Sequence, residues 1–201
     1  MGREVLLYVP NIIGYIRLAL VLTSSFLTSQ PLYFISVYSL AALLDGVDGL
    51  AARKLNQISV FGAWFDVVID LISRGMVWSA VYNQWGYYVI AVEWMTFIST
   101  HSRGPNWKSS FDEAPWFARM VMAKGFKTPM GIVAIGSLHI LPIWLYAYQC
   151  SFLTESLDMP LWGQLGVMAG LVMGRVLCLA VEIYCLTDYI CFLLNQHSPN
   201  R

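Results

Sequence analysis

Long apolar runs set what this chain can fold into. Stretches at 9–27, 31–53, 60–82, 85–101, 128–148 and 161–194 are apolar, and a helix needs roughly 20 such residues to cross a bilayer core. Only 12% of the 201 residues are charged and mean hydropathy is +0.60, where a soluble domain carries about twice that charged fraction. The sequence therefore predicts an all-α polytopic membrane protein, a single domain over 1–201 with six transmembrane helices. The connections at 28–30, 83–84 and 149–160 hold no Lys or Arg. Arg3, Arg53, Lys54, a basic stretch at 103–127 and Arg201 all fall on the other side. Positive residues stay cytosolic, so both termini are expected in the cytosol. The first ten residues are too short for a cleavable leader, and the apolar run after them is read as retained.

Charge elsewhere is uninformative. Acidic and basic side chains balance at net zero, and no compact basic cluster points to nucleic acid. Cys150, Cys178, Cys185 and Cys191 lack CxxC spacing, so they are read as small apolar residues. The polar segment at 102–126 is either a loop or a short interfacial helix, with Trp107, Trp116 and Phe117 suited to headgroup level. Its Lys108, Arg119 and Lys124, with Lys127, suit anionic headgroups or a solvated loop equally. Pro142 is expected to kink the fifth span. The sixth is longer than a membrane requires, so it should project into water and leave Glu182 and Asp188 wet.

Against this background the stretch 44–73, LDGVDGLAARKLNQISVFGAWFDVVIDLIS, is anomalous. Asp45 and Asp48 lie three apart and Asp66 and Asp70 four apart, so each pair shares a helix face. A charged residue at the centre of a membrane helix costs roughly 2.5–3.5 kcal/mol on insertion scales. Four adjacent carboxylates also repel one another unless a cation sits among them. Divalent metal meets that need. Pairing with Arg53 or Arg74 is a second reading, but two arginines do not neutralise four acids. A proton or cation pathway is a third, and it leaves the glycines and Ala52-Arg53 without a use.

The ordered pattern Asp45-x-x-Asp48-Gly49-x-x-Ala52-Arg53, eight residues, Gly62-x-x-x-Asp66-x-x-x-Asp70 resembles the signature of the CDP-alcohol phosphotransferases at every defined position. That family is a six-helix membrane fold with a cytosolic site, and it moves a substituted phosphate from a CDP-linked donor to an alcohol, releasing CMP. The resemblance implies that Asp45, Asp48, Asp66 and Asp70 hold Mg²⁺ or Mn²⁺ and that Asp70 is also the catalytic base. Hard cations of this kind take oxygen ligands. It further implies that Gly49, Arg53, Ser59 and Gly62 contact the donor. For Ser59 a turn hydroxyl explains the residue almost as well.

Two stretches, Val9-Pro10-Asn11-Ile12-Ile13-Gly14-Tyr15-Ile16-Arg17 and the extension through Leu55-Asn56-Gln57 and Phe61-Gly62-Ala63, are similar to the eukaryotic phosphatidylinositol synthases of that family. This implies CDP-diacylglycerol as donor and myo-inositol as acceptor, with membrane lipid as the setting, in a homodimer of the endoplasmic reticulum. Other small alcohols (glycerol phosphate, serine, another polyol) and a silent lipid-binding or partner-binding paralogue are the alternatives. Arg17 and Asn11 become donor contacts, against an interfacial arginine and a helix start. The second half departs from the synthases, which place Arg directly after the last Asp where this chain has Leu71. Arg74, His101 and Lys108 are the remaining acceptor candidates.

Overall fold

The computed structural model describes residues 2–104, 111 and 114–196. After a short 3-10 turn at Arg3–Leu7 come α1 (Val9–Ser25), α2 (Pro31–Lys54), α3 (Val60–Val81) and α4 (Asn83–Ser102). Then follow α5 (Trp116–Phe126), α6 (Pro129–Gln149), the single turn α7 (Phe152–Glu155) and α8 (Leu161–Gln196). No strand occurs among the described residues. The sequence places the punctuation. Three of the long helices, α1, α2 and α6, carry Pro in their first turn, where a missing N–H breaks no intrahelical bond. Hydroxyls cap the starts of α3 and α6: Ser59 Oγ accepts from Gly62 N at 2.9 Å and Thr128 Oγ1 from Gly131 N at 3.0 Å. Arg53 and Lys54 close α2, where the helix dipole favours cations.

By length and composition α2, α6 and α8 qualify as membrane-spanning, and α1 is a shorter apolar helix. The middle of α3 carries Asp66, Asp70 and Arg74, which dilutes its apolarity. At about 1.5 Å per residue the 36 residues of α8 exceed the hydrocarbon thickness of about 30 Å.

Two apolar clusters hold the bundle. One joins Phe34 and Tyr38 of α2, Val77, Trp78 and Val81 of α3, and Leu141, Leu145 and Tyr146 of α6. The other joins Ala118 and Val121 of α5, Ala134 and Leu138 of α6, and Cys178, Val181 and Cys185 of α8. Helix α6 serves both, and its junction is His139. The α6–α8 crossing is tight because Gly174 has no Cβ: one built there would strike the Ser137 side chain and the Val133 carbonyl. Small residues permit such close packing between membrane helices.

One of the lesser expectations is overturned, the wet Glu182. Helix α6 runs on through Pro142, which lies buried in the apolar packing. The polar segment does contain a helix, α5, but its backbone breaks at Ala123, Lys124 and Gly125, the last two at positive φ. Glu182 is not wet: it is 6% exposed and bonded to Arg175 one α8 stretch earlier, at 2.8 Å. Asp188 is tied to Arg103 at the end of α4, at 2.9 Å. All four cysteines are free thiols.

Candidate active site

The acidic pairs converge because α1 packs on both α2 and α3 and brings Arg17 between them. Its Nη1 lies 2.5 Å from Asp48 Oδ2 and 2.6 Å from Asp66 Oδ1; its Nη2 lies 2.5 Å from Asp45 Oδ1 and 2.9 Å from Asp70 Oδ1. The Arg17 side chain is 3% exposed, whereas those of Asp45 and Asp66 remain 44% and 46% exposed. One cation thus faces four anions, two of them open to the outside. Arg17 was expected to reach a donor headgroup or to snorkel. It is buried rather than snorkelling, and it is the hub of the cluster.

Cavities flank this hub. A cleft of about 270 Å³ runs between α1, α2 and α3, lined by Asn11, Arg17, Asp48, Gly49, Arg53, Ser59, Gly62 and Asp66. All six residues expected at the donor therefore border one space. Asn11 is buried there, donating from Nδ2 to the Val5 carbonyl at 2.5 Å. Its Oδ1 and the Ser59 hydroxyl crowd Gly62, where a Cβ would lie 2.9 Å from the first and 3.0 Å from the second. Glycine at 62 is a packing requirement of this wall. Gly49 faces the Arg53 guanidinium, and a Cβ at Gly46 would meet nothing within 4 Å.

A second space of about 440 Å³ opens on the other side of Arg17 and Ile69, lined by Asp45, Asp70, Ser73, Arg74 and His139. Asp48 and Asp66 border the first space, Asp45 and Asp70 the second. Here the sequence reasoning missed a residue. His139 Nδ1, taken as the donor from its partner, bonds the Ile135 carbonyl at 2.8 Å. Its Nε2 then accepts from Arg74 Nη1 at 2.9 Å and lies 3.1 Å from Asp70 Oδ2. An ionisable residue inside a predicted span was the available signal, though no motif surrounds it.

Arg74 is buried and carries a charge relay away from the site. Its Nε donates to Glu93 Oε2 at 2.8 Å, Glu93 Oε1 lies 3.5 Å from Arg175 Nη2, and Arg175 Nη1 donates to Glu182. Glu93, Arg175 and Glu182 are all buried. His101 lies elsewhere. It is exposed, packs on Phe97 at 5.5 Å, and lines a separate space of about 690 Å³ with Arg74, Glu93 and Thr96. Lys108 falls outside the described residues.

Oxygen ligands of Asp45, Asp48 and Asp66 lie within 4.8 Å of one another. An all-carboxylate set at this spacing fits a hard divalent cation, which takes oxygen donors.

The profile of the CDP-alcohol phosphatidyltransferase family matches residues 7–153. The chain belongs to that family. Within it, the chain is 34% identical over 128 residues to the probable CDP-diacylglycerol–inositol 3-phosphatidyltransferase 2 of Arabidopsis thaliana, covering 58% of this chain and 57% of the relative. It is 46% identical over 72 residues to the CDP-diacylglycerol–inositol 3-phosphatidyltransferase of Homo sapiens, covering 35% and 34%. The enzyme of that name from Schizosaccharomyces pombe is 49% identical over 68 residues, covering 33% and 29%. At most, then, this family member spans a little over half the length of these relatives. No solved structure matches it.

Proposed function

We propose that this chain is a phosphatidyltransferase that moves the phosphatidyl group of CDP-diacylglycerol to myo-inositol, giving phosphatidylinositol and CMP. The observation that carries the proposal is the convergence of Asp45, Asp48, Asp66 and Asp70 on one point between two spaces. Family membership supports phosphotransfer, and the names of the relatives support inositol as acceptor.

In this reading the donor's cytidine diphosphate occupies the cleft of Asn11, Gly49, Arg53, Ser59 and Gly62. The planar Arg53 guanidinium there can take two phosphate oxygens at once. The inositol approaches from the side of Asp70 and His139. Asp70 takes the proton of the attacking hydroxyl, the new O–P bond forms, and the P–O bond to CMP breaks with its electron pair leaving on CMP. Arg74, 3.5 Å from Asp70 Oδ2 and held in turn by His139 Nε2, fixes the Asp70 carboxylate so that one oxygen faces the incoming alcohol. The four aspartates hold Mg²⁺ or Mn²⁺, which when bound neutralises the donor phosphates and the departing CMP. Positioning and charge neutralisation are most of what such a displacement requires.

The same reading takes residues 1–201 as one catalytic domain. Helices α1, α2, α3, α4, α6 and α8 are then six spans with both termini in the cytosol, in the endoplasmic reticulum membrane. The loop charges support that orientation.

The deciding experiment measures CMP release by purified protein in lipid–detergent micelles, with CDP-diacylglycerol and Mn²⁺ or Mg²⁺, with and without myo-inositol. Release that needs both metal and inositol is the expected result. Release that needs metal and a different alcohol overturns the acceptor alone. No release under any metal and alcohol overturns the enzyme.

A further inference from the structure

Arg17 does more than line the donor cleft. Its two terminal nitrogens each bridge a pair of carboxylates, Nη1 across Asp48 and Asp66, Nη2 across Asp45 and Asp70, all at 2.5–2.9 Å. The ligand oxygens of Asp45, Asp48 and Asp66 lie within 4.8 Å of one another. A nitrogen bonded to two of them already fills the space at their centre. A divalent cation needs its oxygens at about 2.0–2.6 Å, so it and the guanidinium nitrogen cannot share that space.

We propose that Arg17 is a displaceable counter-ion, which holds the acidic cluster together until a divalent cation takes the same carboxylate oxygens and expels it. The inference rests on the phosphotransferase reading for the metal. It adds the role of a side chain.

Physical necessity points the same way. Without a cation the four acids on α2 and α3 repel one another and drive the helices apart. Arg17 supplies a cation from the chain itself, on a third helix, and even with Arg74 at 3.5 Å from Asp70 the cluster keeps a negative excess that still attracts metal. Its Nε is buried without a partner, so its present seat is incompletely satisfied. The same side chain borders the donor cleft. A guanidinium released from the carboxylates therefore faces the place where the donor's phosphates lie, and metal and donor favour each other's binding. Such coupling is reciprocal in equilibrium terms.

The test is Mn²⁺ affinity, read by electron paramagnetic resonance on the purified full chain in micelles without nucleotide. Arg17→Lys is the decisive variant: it keeps the charge, and with it the fold, but a single ammonium cannot bridge four carboxylates. Competition predicts about tenfold tighter Mn²⁺ binding in Arg17→Lys, within the usual range of coupling factors, and at least as much in Arg17→Gln. Mn²⁺ should also raise the melting temperature of Arg17→Gln more than that of the wild type, since metal then supplies the missing counter-charge. CDP should tighten Mn²⁺ binding by a larger factor in the wild type than in Arg17→Gln. Unchanged or weaker Mn²⁺ binding in Arg17→Lys overturns the proposal and makes Arg17 a fixed scaffold. Asp48→Asn and Asp66→Asn separate the two layers. Loss of Mn²⁺ binding in both keeps the metal reading whatever Arg17 does, whereas no Mn²⁺ binding by the wild type overturns both.

Discussion

Two groups of buried charge meet at Asp70 and differ in balance. Around Arg17 one cation faces four carboxylates, two of which are nearly half exposed. Beyond Arg74, two arginines alternate with two glutamates, Arg74–Glu93–Arg175–Glu182, and all four are buried. The second group is closed: each charge has a partner, and the chain ties α3 to α4 and α8. The first is open and in electrostatic debt. Unbalanced acids in a membrane protein point to a functional site by default, so the imbalance points to the site and the balance to its support. His139 is the joint between the two.

The largest effect breaks the open group. Asp70→Asn removes the proposed base while preserving shape, and CMP release should fall about a thousandfold, within the usual range for general-base catalysis. Chelation by EDTA should abolish release as fully, and added Mn²⁺ or Mg²⁺ should restore it. Release that survives EDTA would show that the acidic cluster works without metal. In the closed group, Glu93→Leu strands Arg74 and Arg175 together, and breaking a buried pair costs about 3–5 kcal/mol. Thermal unfolding in micelles should show that loss as a steep fall in melting temperature. Replacing both members of the terminal pair, Arg175→Met with Glu182→Leu, should cost less than Arg175→Met alone, because no uncompensated charge remains. If single and double variants lose equal stability, the chain is not a coupled network.

An intermediate effect tests the joint. His139→Leu leaves both groups in place but removes the acceptor that holds the Arg74 guanidinium beside Asp70. Loss of such supporting contacts typically costs about tenfold to a hundredfold. CMP release should fall by that factor while the melting temperature moves little. A drop in stability with unchanged turnover would assign His139 to packing instead.

The sequence disclosed these two groups unequally. Local residues mark the helix starts: Pro10, Pro31 and Pro129 in first turns, and the Ser59 and Thr128 hydroxyls as caps. The acids of α2 and α3 announced themselves by spacing within 44–73, a stretch short enough for one turn to fold them together. Arg17 lies in α1, and nothing local tells that its guanidinium reaches four carboxylates on two other helices. Glu93, His139 and Arg175 are single ionisable residues on three separate apolar helices. Each looked isolated because its partner is distant in sequence, by 65 residues for Arg74 and His139 and by 82 for Glu93 and Arg175. Glu182 was misjudged for a different reason. Its partner Arg175 is two turns earlier on α8, and burial by α4 and α6 is a property of the bundle.

The smallest effect concerns a residue with two explanations. Ser59 borders the donor cleft, yet its hydroxyl already accepts from Gly62 N at 2.9 Å as the cap of α3. Losing a cap costs about 1 kcal/mol, so Ser59→Ala should lower stability by that amount. A capping role leaves the apparent KM for CDP-diacylglycerol unchanged, and Ser59→Asp, also a good cap, then restores stability. A donor contact behaves in the opposite way: a carboxylate beside the diphosphate repels it, so Ser59→Asp raises KM even as it repairs the helix. Because the hydroxyl is already engaged by the Gly62 N–H, the capping outcome is expected. On the proposed reading, the open group then owes its donor recognition to Arg53, Asn11 and the divalent cation its acids would hold.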